Sequence, residues 1–257
     1  MSPTIWTPAG LSPSLIPLKD DCWRAVEAQH FKSTMKLVDS PGEQKILEEE
    51  IEQTKPNVPE ECRRLDFLLY TPFRYDGPYP RGSRFRREGF TAGVYYASSA
   101  PRTAIAEMAF IRLLFYAESP GTPYPANPSE YTVFSVPLQT PLSVDLTAPP
   151  LNQHSELWHR LADYEDCQRL ADVARACSAE VIQYESVRDP RKSGNYAVLS
   201  CRAFAASKPQ HTQSWHMQLH PKAIWARCEA PKSGTAFDLD FFLADPRLRS
   251  LKPWLTA

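Results

Sequence analysis

The sequence predicts an α+β fold with mixed, largely antiparallel sheets and flanking helices. Three observations carry that reading. Short apolar or aromatic runs bounded by Pro, Gly and Ser outnumber the helical periods. The connections between these runs are short, which suits antiparallel neighbours better than parallel crossovers. Twenty-five prolines against nine glycines punctuate the chain with rigid loops and leave little room for long unbroken helices. At 257 residues one large domain is the expected organisation. Residues 1–20 form a lead-in, and the domain proper runs from 21 to 257.

Taken in order, the lead-in is proline-rich and extended, with Ile5, Trp6, Leu11 and Leu15 available to pack on the body. The stretch WRAVEAQ after Cys22 reads as a strand or a short helix. Pro41 to Thr54 reads as a helix, with proline near its start and acids toward its front. Its apolar residues Ile46, Leu47 and Ile51 are too few for burial, so a surface helix is expected. Phe67–Tyr70 and Val94–Ala97 read as strands. Ser98-Ser99-Ala100-Pro101 then supplies cap residues and a first-turn proline for a helix over Thr103–Tyr116. That helix is apolar nearly all round and should be buried on most sides. Tyr131–Val136 and Leu142–Leu146 read as two strands. Tyr164–Cys177 reads as a one-faced helix through Leu170, Val173, Ala174 and Cys177. Val181–Tyr184 and Tyr196–Leu199 bracket the polar loop ESVRDPRKSGN. Trp215–Leu219 and Ala223–Arg227 form a hairpin across His220-Pro221-Lys222.

Composition excludes several function classes. The formal net charge of −1 hides no basic block, so direct nucleic-acid binding is not expected. No apolar run reaches the roughly 20 residues that span a bilayer, and the first residues lack the pattern of a signal peptide. The six cysteines (22, 62, 167, 177, 201, 228) are scattered without a CxxC pair, which points to reduced thiols in a cytoplasm and away from a zinc ribbon. His216 and His220 lie four apart in a strand context, so no metal site is expected there. No Gly-rich phosphate loop, GxSxG elbow or HExxH is present.

Three features stand out as chemistry. Glu107 sits inside an almost wholly apolar helix, where an ionised carboxylate needs a partner or a cleft. It is either a helix-surface acid paired with Arg102 or Arg112, or a functional group facing a cationic or sugar-hydroxyl ligand. Next, Arg74, Arg81, Arg84, Arg86, Arg87 and Arg102 fall in or beside the Gly/Pro-punctuated stretch Thr71–Phe90. The planar guanidinium fork suits phosphate and pyrophosphate. Arg86 and Arg87 are expected to meet solvent or acids such as Glu88, and Arg84, between Ser83 and Phe85, is the better ligand candidate. Third, Ser186 follows a strand in the loop Glu185–Pro190, where Arg188 and Asp189 can brace it. Read alone, that loop is an ordinary turn.

Together these blocks resemble the RES-domain family, named for its arginine, glutamate and serine. The resemblance runs from about Trp23 to near Trp225. It rests on WRAVEAQH (23–30), LLYTPFRY and GSRF (68–85), GVYYASSAPRTAIAEMAF (93–110) and YESVRDPRKSGNYAV (184–198). It implies a fold related to ADP-ribosyltransferases and an insertion around 31–65. The matching site residues are Arg84, Tyr96, Glu107 and Ser186. A further upstream arginine is matched by Arg74, beside Tyr75, or by Arg24, with Arg74 the first choice. The longer Arg191-Lys192-Ser193-Gly194 link departs from the family pattern and leaves the loop's shape open.

The resemblance also implies an activity. Family members consume NAD⁺ by phosphorolysis or hydrolysis, as toxins restrained by an Xre-type antitoxin. Glu107 would stabilise the oxocarbenium-like state, Tyr96 would hold the nicotinamide riboside, and Ser186 would position the ribose or the amide. Arg84, with Arg74 or Arg24, would hold the pyrophosphate, or inorganic phosphate as co-substrate. Nicotinamide leaves from a cationic ring, so no metal is required. ADP-ribosyl transfer to a protein acceptor, or an inactive module that only binds an antitoxin, are the competing readings. The sequence leaves room for a homo-oligomer.

Overall fold

The structure is a computed structural model. It describes residues 5–28, 37–74, 78–79 and 81–256, with backbone alone at 78 and 252–256. Tyr75, one of the ligand-binding candidates, lies outside the described residues. In chain order the elements are α1 (Pro8–Leu11), β1 (Leu15–Glu27), α2 (Pro41–Thr54), α3 (Phe67–Tyr70), β2 (Pro78–Tyr79), β3 (Gly89–Phe90), β4 (Tyr95–Ser98), α4 (Pro101–Glu118) and β5 (Ser129–Asp145). They continue with α5 (Ser155–Trp158), α6 (Glu165–Ala176), β6 (Val181–Glu185), β7 (Gly194–Val198), β8 (Thr212–Leu219), β9 (Ala223–Cys228), β10 (Ser233–Asp238) and α7 (Leu239–Leu243), with short 3₁₀ turns between.

Eight strands form one sheet in the order β1-β4-β7-β6-β5-β8-β9-β10, and β1 also pairs with β5. The first five strands therefore close on themselves, and β8, β9 and β10 extend from the side of β5. Closure depends on β1 and β5 being long. β1 runs antiparallel to β5 from Leu15↔Val144 to Glu27↔Tyr131, with a register shift between Ile16 and Leu18. On its other side it meets β4 at Trp23↔Ser98. Among these pairings β5–β6 is parallel and the others are antiparallel. The strands alternate sides as a half-buried sheet requires: Tyr131, Val133 and Trp215, Met217 turn inward, while Glu130, Ser214 and His216 do not.

Three apolar clusters fill the two sides. α4 packs Ile105, Ala109 and Leu113 against Val133, Met217, Ile224 and the C-terminal Leu248 and Leu251. Leu69 and Phe73 pack on Tyr95, Val136 and Phe204. α6 brings Leu170 and Ala174 against Leu11, Phe85, Val144 and Trp158. The lead-in is thus attached through Leu11, with Ile5, Trp6 and Leu15 packed beside it, and β1 begins within it at Leu15. At Gly93 a side chain would lie 1.9 Å from the Pro72 carbonyl oxygen, so the chain passes there only as glycine.

Several local expectations are corrected. Phe67–Tyr70 is helical because Asp66 caps it, accepting from the Leu68 amide at 3.0 Å. The two strands expected over 131–146 are one continuous β5, carried through Pro137 and Pro141 by its pairing with β1. α4 starts after Ala100 without a side-chain cap, since Ser98 donates to Asn195 instead. Cys62 and Cys201 form a disulfide across 139 positions, against the expectation of reduced thiols, while Cys22, Cys167, Cys177 and Cys228 are free. α2 is a surface helix with no buried residue, as its sparse apolar face predicts.

Candidate functional site

The site is built around the turn that carries Arg84. Ser83 and Arg86 exchange backbone hydrogen bonds at 2.7 and 3.2 Å, and Gly82 enters at φ +59°, a conformation that favours glycine. Gln168 of α6 donates to the Ser83 and Arg86 carbonyls at 3.0 and 3.2 Å. Phe85 is buried edge-on against Tyr184 at 4.9 Å. The Tyr96 hydroxyl shares a hydrogen bond with Ser83 Oγ at 2.8 Å and accepts from the Phe85 amide at 2.9 Å. Its oxygen is thereby committed to holding this turn. Burial pushes the Tyr96 pKa far above that of an ordinary phenol, so Tyr96 stays protonated and is no general base at neutral pH.

Six arginines in or near this stretch separate cleanly by partner. Arg74 meets Glu52 at 2.5 Å and the Pro56 carbonyl at 3.1 Å. Arg81 pairs with Glu118. Arg86 donates to Thr91, Arg87 to Asp172 at 2.7 Å, and Arg102 to Asp189. Arg84 differs. It is buried, donates to the Trp158 carbonyl at 2.6 Å, and lies 4.8 Å over the Tyr164 ring, with no ion pair among the described residues. Burial pulls its pKa down, but Tyr164 and its other neighbours carry the net shift upward. Arg84 therefore keeps its charge in a buried place with no direct ion pair among the described residues, an arrangement open to an incoming anion.

A cleft of about 380 Å³ opens beside it, lined among others by Trp23, Arg24, Arg84, Tyr96, Glu107, Tyr184, Arg188, Asn195 and Arg247. That volume falls within the usual range for small-molecule sites. Of the two upstream arginines, Arg24 is on the cleft and Arg74 is not, which reverses the preference drawn from the sequence. The reason is that α2, which the sequence reads as a separate surface helix, supplies Glu52 to Arg74. Arg24 is half-buried, its guanidinium 4.5 Å over the Tyr95 ring, and it too forms no ion pair among the described residues. Desolvation lowers its pKa, though a guanidinium stays charged in any protein.

Glu107 faces the same cleft from α4. It pairs with neither Arg102 nor Arg112, since Arg102 is held by Asp189 and Arg112 by Glu27. Instead its Oε1 accepts from Ser186 Oγ at 2.7 Å and from Asn195 Nδ2 at 2.6 Å. Among the described residues its Oε2 accepts nothing. Ser186 is buried and does not line the cleft; its Oγ also accepts from the amides of Arg188 and Asp189 at 3.1 and 3.0 Å. Its contact with the site is through Glu107.

Asn195 was not singled out by the sequence. It stands opposite Ser98 in the β4–β7 ladder and accepts from Ser98 Oγ at 2.7 Å, which fixes its amide so that Nδ2 points at Glu107. In the sequence it is the last residue of the polar loop ESVRDPRKSGN, next to the strand run Tyr196–Leu199, and nothing there marks it out. Arg188 and Arg247 complete the lining, both paired with the fully buried Asp245 at 2.7 and 2.8 Å. Asp189, buried at the first turn of α4, accepts from Thr103 Oγ1 at 2.8 Å and from Arg102, and ties the Ser186 loop to the helix bearing Glu107. Among the described residues no group of His, Cys, Asp and Glu is placed to hold a metal, and no helix is long and apolar enough to cross a membrane.

The RES domain family model matches residues 58–220, and the chain belongs to the RES domain family. Among curated proteins none matches the sequence. Among solved structures the chain is similar to one described as the crystal structure of the M. tuberculosis MbcT-MbcA toxin-antitoxin complex. The identity is 11%, the TM-score 0.45, and the likeness covers 83% of this chain and 92% of that one.

Proposed function

We propose that this chain is an NAD⁺-degrading toxin of ADP-ribosyltransferase-like fold, which cleaves the nicotinamide–ribose bond by phosphorolysis or hydrolysis. The observation that supports this best is the half-satisfied carboxylate of Glu107: one oxygen is pinned by Ser186 and Asn195 and the other accepts from no donor among the described residues, on a cleft that also holds Arg84 and Arg24, neither in an ion pair among the described residues. A dinucleotide fits that charge pattern. Its pyrophosphate takes Arg84 and Arg24, and its positively charged nicotinamide riboside lies toward Glu107. The carboxylate stabilises cationic character developing at the anomeric carbon and keeps an oxygen for a ribose hydroxyl or for the attacking water or phosphate. Tyr96 supplies a ring wall and, through its hydroxyl, the rigidity of the Arg84 turn. Ser186 and Asn195 act as positioning residues. No metal enters this scheme, because nicotinamide leaves as a neutral molecule.

The Xre-type antitoxin partner that the family resemblance implies, and the cytoplasmic setting read from the scattered cysteines, both belong to this proposal. So does the division into a lead-in and a single domain carrying an insertion around residues 31–65. The test is expression followed by product analysis. Induction should arrest growth and deplete cellular NAD⁺. Purified protein should release ADP-ribose 1″-phosphate in phosphate buffer and ADP-ribose where water is the nucleophile. Labelled ADP-ribose attached to a macromolecule, with little free product, would shift the reading to transferase chemistry. Unchanged NAD⁺ and unimpaired growth would end it.

A further inference from the structure

We propose that two copies of this chain pair through the outer edge of β10, antiparallel and about a twofold axis, to make one sheet continuous across both molecules. β10 ends the eight-strand order. It pairs with β9 from Ser233↔Cys228 to Asp238↔Ala223, and among the described residues none of its backbone groups bonds to anything on the opposite side. An edge strand left this way is a template for another strand. Its centre, Gly234-Thr235-Ala236-Phe237, carries neither charge nor proline, the devices that ordinarily blunt an edge.

The occupant is identified by charge and by side-chain size. Lys232 precedes the strand and Asp238 ends it. Both are exposed, and neither forms an ion pair among the described residues. Aligned antiparallel with Thr235 opposite its own copy, Lys232 falls opposite Asp238 of the second copy, and Asp238 opposite Lys232. Ala236 then faces Gly234 in both halves. A parallel alignment in the same register would set like charge on like, which is destabilising. The surface is thus complementary to itself, as an isologous contact requires.

The outer face of the sheet agrees. Trp225 lies across from Ala236, and Arg227 across from Gly234. Trp225 is 50% exposed and stacks on His220 at 4.8 Å with planes 12° apart. A depression of about 690 Å³ here is lined by His216, Trp225, Arg227, Glu229 and Lys232. In the paired sheet, strands sit about 4.8 Å apart, so Ala236 and the second copy's Gly234 make a low floor. Trp225 of one copy and Arg227 of the other flank that floor, with their backbones about 14 Å apart across three strand spacings.

Sedimentation of the full chain tests this. The parent should run at twice the mass of one chain. Lys232→Asp, which sets acid against acid at both ends, should raise the dimer dissociation constant by about tenfold or more. The exchange variant Lys232→Asp/Asp238→Lys should return it toward the parent value. Because Asp238 also caps α7 by accepting from the Asp240 amide, thermal melts of all variants confirm that each is folded. A parent that stays monomeric at every concentration, or a dimer that Lys232→Asp leaves unchanged, overturns the proposal.

Discussion

Glu107 shows how one side chain acquires a function its helix would otherwise penalise. An acid on a buried apolar helix needs donors, and two of them, Ser186 and Asn195, arrive from elements far along the chain. Their removal should separate two effects. Asn195→Ala frees Glu107 from one donor, and steady-state assays should show kcat falling by about 10- to 100-fold with KM little changed. Ser186→Ala should lower kcat similarly. It also leaves the Arg188 and Asp189 amides without their acceptor, so denaturant melts should show a loss of about 1–3 kcal/mol. A Ser186→Ala protein as stable as its parent would mean that the hydroxyl is not what fixes the loop. The arginines teach the complementary lesson. Sequence alone sets Arg84 apart from its neighbours, and the structure places it on the cleft without an ion pair among the described residues; but sequence also prefers Arg74 to Arg24, because nothing in PFRY reveals that Glu52 waits for it 22 positions upstream.

At the scale of elements, the sequence places both ends of α2 at Pro41 and Thr54, where the structure has them, and it reads α4 nearly as well. Its apolar content and first-turn proline place it within two residues at either end. Leu113, fully buried on it, should cost about 2–5 kcal/mol when cut to alanine, as read by chemical denaturation. A cost under 1 kcal/mol would place Leu113 outside a packed core. What the sequence concealed were features set by distant partners. β5 reads as two strands because Pro137 and Pro141 interrupt its apolar pattern, yet pairing with β1 carries the strand through both. Phe67–Tyr70 has strand-like composition, and a single capping aspartate turns it into a helix. Asn195 looks like any polar residue at the end of a loop until the β4–β7 register sets it beside Ser98.

For the molecule as a whole, segments outside the RES match at 58–220 complete the cleft: Arg24 comes from β1 and Arg247 from the C-terminal region. Asp245 ties the C-terminal Arg247 to Arg188, and Asp189 ties the Ser186 loop to α4. Each has its pKa lowered; burial alone would raise it, but hydrogen bonds and neighbouring arginines outweigh that. A depressed folded-state pKa contributes stability that is complete above the unfolded value and lost as pH falls through the folded one. Thermal melts should therefore hold steady near neutrality and fall below about pH 4. Asp245→Asn should cost about 3–5 kcal/mol at pH 7 by stranding Arg188 and Arg247, and should flatten that acid limb. The Cys62–Cys201 disulfide implies that two of the six cysteines resist alkylation until a reductant is added. The most direct measurement of the central claim is nicotinamide release from NAD⁺ by the parent and by Glu107→Gln, which keeps the shape and removes the charge. The parent should release nicotinamide steadily, and the variant should be slower by about 10²- to 10⁴-fold. Equal release by both proteins, or none by the parent, would contradict the account.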